Sequence, residues 1–188
     1  MLEIDTLEIA GFRSTLEALR LPFGKECRSS CNFSGKINYE YEPPCFESKS
    51  AVFFNEKDMK LLSNLVKRGD EHAKALRGIV VYAKISAPIW FYRELETYRI
   101  GRERLSSEST MHIECKGLSG EELEKAKDGI PMGHIQKTVD MFSYQCLRRI
   151  YFQRRNHRLP MWHDFCKWIE SLPFFNLLIG IDKNETID

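Results

Sequence analysis

The clearest alternation in the chain runs from Ile79 to Ile85, where Ile79, Val81, Ala83 and Ile85 interleave with Val80, Tyr82 and Lys84; this period of two predicts a β-strand. Leu2 to Ile9 alternates well enough for a first strand, and Ser14 to Leu21 reads as a short helix stopped at Pro22. Met59, Leu62, Leu65 and Val66 form the stripe of a helix capped by Asn55 and Asp58, ending near Gly69 or continuing past Glu71-His72. Pro88 closes the central strand and opens a helix carrying Trp90, Phe91, Glu94, Leu95 and Tyr98, which ends around Arg99-Ile100-Gly101. Arg102 to Thr110 is polar and reads as a loop, and Leu118 to Lys127 as a short helix capped by Ser119. Ile135, Val139, Phe142, Cys146, Ile150 and Tyr151 recur at three or four residues, which predicts one long helix to about Arg155 lying across the central strand. A last helix begins at Pro160, with Trp162, Phe165, Cys166 and Ile169 inward, and ends before Pro173. Strands before and among helices give an α+β class, an antiparallel or mixed sheet packed with helices.

Between these patterns, residues 23–50 shift to Cys, Ser, Gly, Asn and the Pro43-Pro44 pair, an irregular loop of a length that is uncommon in compact domains. Residues 1–183 are expected to form one domain, with 184–188 as a loose tail. The 188 residues are 43% hydrophobic and 29% charged, a globular balance without a spanning segment or signal-like start, so a cytoplasmic protein off the membrane is expected. Free thiols are then the default for the six cysteines. Cys27, Cys31 and Cys45 lack a second close pair and a nearby His and make a weak zinc set; no metal is expected. Cys146 and Cys166 fall in apolar periodic segments and read as core.

A net charge of +1 gives no global case for a polyanion partner. Locally the picture changes. Leu147 to Lys167 holds five Arg and one Lys against a single Asp, with His157 and His163 nearby, and guanidinium forks suit phosphate. A second cluster sets Arg93, Arg99, Arg102 and Arg104 beside Ser106, Ser107, Ser109, Thr110 and a tight Gly101, a plausible anion-binding loop. Walker, G-x-G-x-x-G and G-x-S-x-G patterns are absent, and no catalytic residue can be assigned. The residues alone lead as far as an anionic ligand.

Glu71-His72, the strand to Ile85, Ala87-Pro88, Trp90, Arg93-Glu94-Leu95, Thr97-Tyr98-Arg99-Ile100-Gly101 and Ser109-Thr110-Met111-His112 resemble the flavin-dependent thymidylate synthases, and more closely a divergent phage-borne branch of that family. Tyr144, Leu147, Ile150-Tyr151, Arg154, Asn156-His157, Trp162, Phe165-Cys166, Trp168-Ile169-Glu170 and Leu172-Pro173 resemble the closing helices of the same branch. The family's Arg-His-Arg signature is here Thr97-Tyr98-Arg99, or, in a second register, Arg102-x-Arg104 followed by Ser107; the segment from His112 to Pro131 is also shorter than in the longer phage relatives.

The resemblance implies an FAD-dependent methyl transfer to dUMP or a related pyrimidine nucleotide, with NADPH and methylenetetrahydrofolate as co-substrates in a homotetramer. It implies cofactor contacts at His72, Glu94, Arg99, Ser106 and Ser107, and nucleotide contacts at Arg99, Ser107, Ser109 and Arg154. Bland alternatives stand beside these. His72 reads equally as a helix-end residue, Arg154 equally as an ion-pair partner, and Trp90, Phe91, Leu95 and Tyr98 as core. Two other functions compete: a nucleotide-sequestering phage protein on the same fold, and, less expected, a nucleic-acid module stacking bases on Tyr151, Phe152 and Trp162.

Overall fold

The computed structural model describes residues 1–25, 30–31, 52–53, 56–175 and 180. A four-stranded antiparallel sheet carries the fold, in the order β1 (Glu3–Ala10), β4 (Val80–Pro88), β6 (Ile135–Ser143), β5 (Arg102–Ser107). The short strands β2 (Ser30–Cys31) and β3 (Val52–Phe53) pair separately. Helices α1 (Phe12–Arg20), α2 (Glu56–Lys67), α3 (Ile89–Leu95), α4 (Gly120–Asp128), α5 (Tyr144–Arg154) and α6 (Pro160–Glu170) complete the described elements, with 3-10 helices over Leu21–Phe23, after α1, and Ala73–Gly78, leading into β4. Most of the 23–50 loop, Cys27, Cys45, Asn55 and the tail 184–188 lie outside the described residues.

The alternation of β4 sorts its side chains as expected. Val81, Ala83, Ile85 and Ala87 have no solvent exposure, and they join Phe91, Leu95, Ile150, Trp162, Phe165 and Ile169 in one apolar cluster. Cross-strand partners share a face, so the register Val81↔Phe142, Ala83↔Asp140 and Ile85↔Thr138 puts Phe142, Asp140 and Thr138 on this inner face. On the other side Ala83 pairs with Thr6, whose hydroxyl oxygen accepts the indole N–H of Trp168 at 2.9 Å, fixing α6 over the same face. The opposite face is not packed on the cluster. There Val80, Tyr82, Val139 and Met141 are only half-buried.

Four expectations are corrected. The stripe from Ile135 to Tyr151 is not one helix: residues 135–143 form β6, and only α5 is helical. Its inward positions Thr138 and Asp140 are polar, which hid the period of two, while Ile135 on the same strand is 45% exposed. The polar run from Arg102 is an edge strand, because Arg102 and Arg104 lie opposite Phe142 and Asp140 on the inner face and find a buried carboxylate there. Helix α3 ends at Leu95, short of Tyr98 and Gly101. Asp58 does not cap α2; it lies within that helix, buried, and pairs with Arg20 of α1.

Gly101 shows why the chain turns where it does. It sits at φ +83°, and a Cβ there would run into Ser143 Oγ, the atom that accepts the N–H of Cys146 and caps α5. The Gly101 carbonyl accepts the Ser143 N–H at 2.7 Å, so the turn before β5 and the start of α5 are one joint. Helix α3 is anchored likewise: its unpaired N–H groups at Ile89 and Trp90 bond to the carbonyls of His134 and Met132, each at 3.0 Å.

Candidate functional site

Three helix ends meet around one guanidinium. Arg154, the last residue of α5, donates from Nε to the Tyr98 hydroxyl at 2.8 Å, and its Nη1 lies 3.4 Å from Glu94 Oε2 and 2.9 Å from His157 Nε2. Glu94 Oε2 also accepts the indole N–H of Trp162 at 2.8 Å. The guanidinium carbon stands 4.5 Å from the Trp162 ring centre and 5.6 Å from that of Tyr98, so aromatic faces flank the charge. Burial pushes the Tyr98 hydroxyl above its ordinary value of 10, the Arg154 contact acting the other way. A neutral phenol therefore faces the arginine.

A second polar cluster lies under the edge strand. Asp140 has no exposure; it bonds Arg102 and the Thr138 hydroxyl, with Arg104 Nε 3.9 Å away. Arg104 also pairs with Glu96 at 2.8 Å and stands over the Tyr92 ring at 5.0 Å. The Tyr92 hydroxyl donates toward the carbonyls of Ile85 and Gln136, and burial raises it to about 12. This cluster ties β5 to β6 and α3.

The basic run in α5 is largely spoken for. Arg148 and Arg149 bond the two oxygens of Asp70, and Arg148 and Arg155 stand over the Phe152 ring at 5.0 and 5.3 Å. Tyr151 and Trp162 are buried in the core, so two of the three rings expected to stack bases are unavailable for it. Cys146 and Cys166 are buried too, their thiols raised to about 11 and about 12 by desolvation.

Of the residues singled out from sequence, the structure joins Glu94 to Arg154. His72 is exposed at the start of the 3-10 helix, Arg99 is exposed in the turn before β5, and Ser106 and Ser107 are exposed on β5. Ser109 is half-buried in the turn after β5, where its carbonyl accepts the N–H groups of His112 and Ile113. Among the described residues no hydrogen bond or ion pair links Arg99 or these serines to Arg154. Tyr98, His157 and Trp162, read from sequence as core or bystanders, are the side chains that hold Arg154. Tyr98 and Glu94 lie 56 and 60 positions from Arg154, so only the Arg-x-x-His spacing and the nearby Trp162 are visible locally in the sequence.

No family model matches the sequence, and no curated protein matches it. Solved structures do. Thymidylate synthase X from Helicobacter pylori, crystallised with FAD and dUMP, superposes with a TM-score of 0.66 at 13% identity, covering 96% of this chain and 97% of that one. A second structure of the flavin-dependent enzyme from the same organism, complexed with FAD and dUMP, gives 0.64 at 14%, covering 95% and 97%. The chain shares the fold of the flavin-dependent thymidylate synthases. At this identity the likeness is one of architecture, and it runs over nearly the whole of both chains. Among the described residues no helix is long and apolar enough to cross a membrane, and no three metal-ligating side chains are gathered.

Proposed function

We propose that the chain is a thymidylate synthase-like flavoprotein that binds dUMP or a related pyrimidine nucleotide, with Arg154 as an anion contact. The carrying observation is that a fold matched end to end by FAD- and dUMP-bound synthases holds a partly open arginine at the close of α5. Arg99, Ser107 and Ser109 are assigned to the same nucleotide, in keeping with their residue types.

The donor set suits a flavin dinucleotide. Arg99 brings a permanent positive charge for pyrophosphate oxygens, Ser106 and Ser107 bring exposed hydroxyls, and His72 is an exposed imidazole; none has a hydrogen-bond or ion-pair partner among the described side chains. These residues would hold FAD, with Glu94 contributing a carboxylate oxygen to its polar edge. When bound, FAD supplies hydride chemistry, for which NADPH and methylenetetrahydrofolate are the proposed co-substrates. The protein's part is to fix the anionic groups and to keep the nucleotide's base oriented. We place the chain in the phage-type branch, acting in the host cytoplasm as a homotetramer.

A second reading, ligand sequestration without turnover, draws on Thr97-Tyr98, which in the register set by Glu94 stand where the family has Arg-His; Tyr98 is engaged with Arg154. The test is the absorbance spectrum of the purified protein, followed by titration calorimetry with dUMP. A yellow protein that binds dUMP supports the proposal, and turnover of dUMP then separates synthase from sequestering protein. A colourless protein that neither takes up FAD nor binds dUMP would sink both readings.

A further inference from the structure

The ion pair between Glu94 and Arg154 is longer than those that Asp70 makes with α5 and the one that joins Arg102 to Asp140. Asp70 gives one oxygen to each of two arginines, and Arg102 closes on Asp140 in full burial. Arg154 meets Glu94 through a single nitrogen at 3.4 Å, and the oxygen it meets is the one already accepting the Trp162 N–H. Arg154 Nη2 has no partner among the described residues. The two side chains keep 17% and 34% of their exposure, so the contact is open to a solute. A planar fork with two parallel donors is matched best by two oxygens of one group, and Glu94 offers it one.

We propose that Glu94 is an internal stand-in for a ligand's anion. Without ligand it neutralises Arg154 and holds its position. A phosphate monoester then displaces it by engaging Nη1 and Nη2 together, while Tyr98 and Trp162 keep the guanidinium in plane. The inference rests on the nucleotide-binding reading and deepens it, assigning the anionic group of the nucleotide to Arg154 and making Glu94 the residue that limits affinity.

Glu94→Gln is the informative change. The amide oxygen still accepts the Trp162 N–H, but the charge competing for Arg154 is gone. The expected result is tighter dUMP binding by about three- to tenfold, the effect of withdrawing one partly exposed carboxylate from an anion's site. Deoxyuridine, which lacks the phosphate, should bind the variant and the wild type alike. If Glu94 were only a structural prop, its loss would loosen Arg154 and weaken dUMP binding. The wild type supplies a second measurement: dUMP should shift tryptophan emission as Glu94 leaves the Trp162 indole, and Trp162→Phe should abolish the shift. Equal or weaker dUMP binding by Glu94→Gln, or emission unmoved by saturating dUMP, overturns the displacement mechanism while leaving the nucleotide reading intact. Failure of dUMP to bind either protein overturns both.

Discussion

Arg102 of the edge strand and Asp140 of the neighbouring strand form an ion pair almost without solvent exposure, at 5% and 0% of their side-chain surface. The Asp140 carboxylate also takes the Thr138 hydroxyl, while the Arg102 guanidinium lies 5.8 Å from the Phe142 ring centre. Desolvating both charges offsets much of their attraction, so the pair's net worth is small, but removing one partner strands the other. Asp140→Ala should therefore cost about 3–5 kcal/mol in urea unfolding. The double variant Asp140→Val with Arg102→Leu should recover most of that loss. No recovery would mean that the carboxylate does more for the fold than neutralise Arg102.

Arg154 and Arg155 are adjacent but differ by about 100° around the helix. Arg154 turns toward Glu94, Tyr98 and Trp162, whereas Arg155 stacks on Phe152. Arg154→Ala is expected to weaken dUMP binding about ten- to hundred-fold, the loss of one charge-assisted contact. Arg155→Ala should change it less than about twofold, as for a surface charge. Calorimetry on the two variants distinguishes them, and equal small losses would reduce the cluster to a solvated face.

How legible this was depended on which side of each pairing the sequence displayed. Strand β4 could be read directly because its inward residues are all apolar. Strand β6 could not: with Thr138 and Asp140 facing in, Ile135, Val139 and Phe142 fell by chance at helical spacing. Its β-branched residues Ile135, Thr138 and Val139 were the available counter-signal. Arg102 and Arg104 looked like loop residues because the carboxylate that lets them be buried lies 38 positions from Arg102. The same holds for the site. Glu94 and Arg154 could each be singled out, but a contact across 60 positions has no local signature.

The buried acids of the core set an alkaline limit. Cys146 and Cys166 are raised from 9 to about 11 and about 12, and Tyr92 and Tyr151 from 10 to about 12, in each case first by desolvation. A raised folded pKa means the unfolded chain loses these protons first. The folded state's advantage is whole below pH 9 and is lost as pH climbs through the folded values. Urea midpoints should hold steady up to pH 9 and then fall, and Cys166→Ala should flatten the decline. A midpoint unchanged between pH 9 and 11 would show that these groups titrate normally in the folded protein.

Assembly is the last expectation, and the sheet supplies the reason for it. One face is filled by the core, but the other presents Val80, Tyr82, Val139 and Met141 half-buried and outside the apolar cluster, with Tyr82 directly opposite Met141 in the register. Ile135 and Met132, at and just before the start of β6, add exposed apolar surface at 45% and 43%. Surface of this kind on a sheet invites coverage by another copy, and a flavin and a nucleotide together make a large pocket for 188 residues. Light scattering well above micromolar concentration should give a multiple of the 22.0 kDa chain mass, a tetramer by resemblance. Tyr82→Asp puts a charge beside Met141 on this face and should shift the population toward single chains without lowering the helical signal in circular dichroism. A wild type that scatters as a monomer at those concentrations would count against the tetramer that the resemblance implies. An oligomer indifferent to Tyr82→Asp would move the interface off this face.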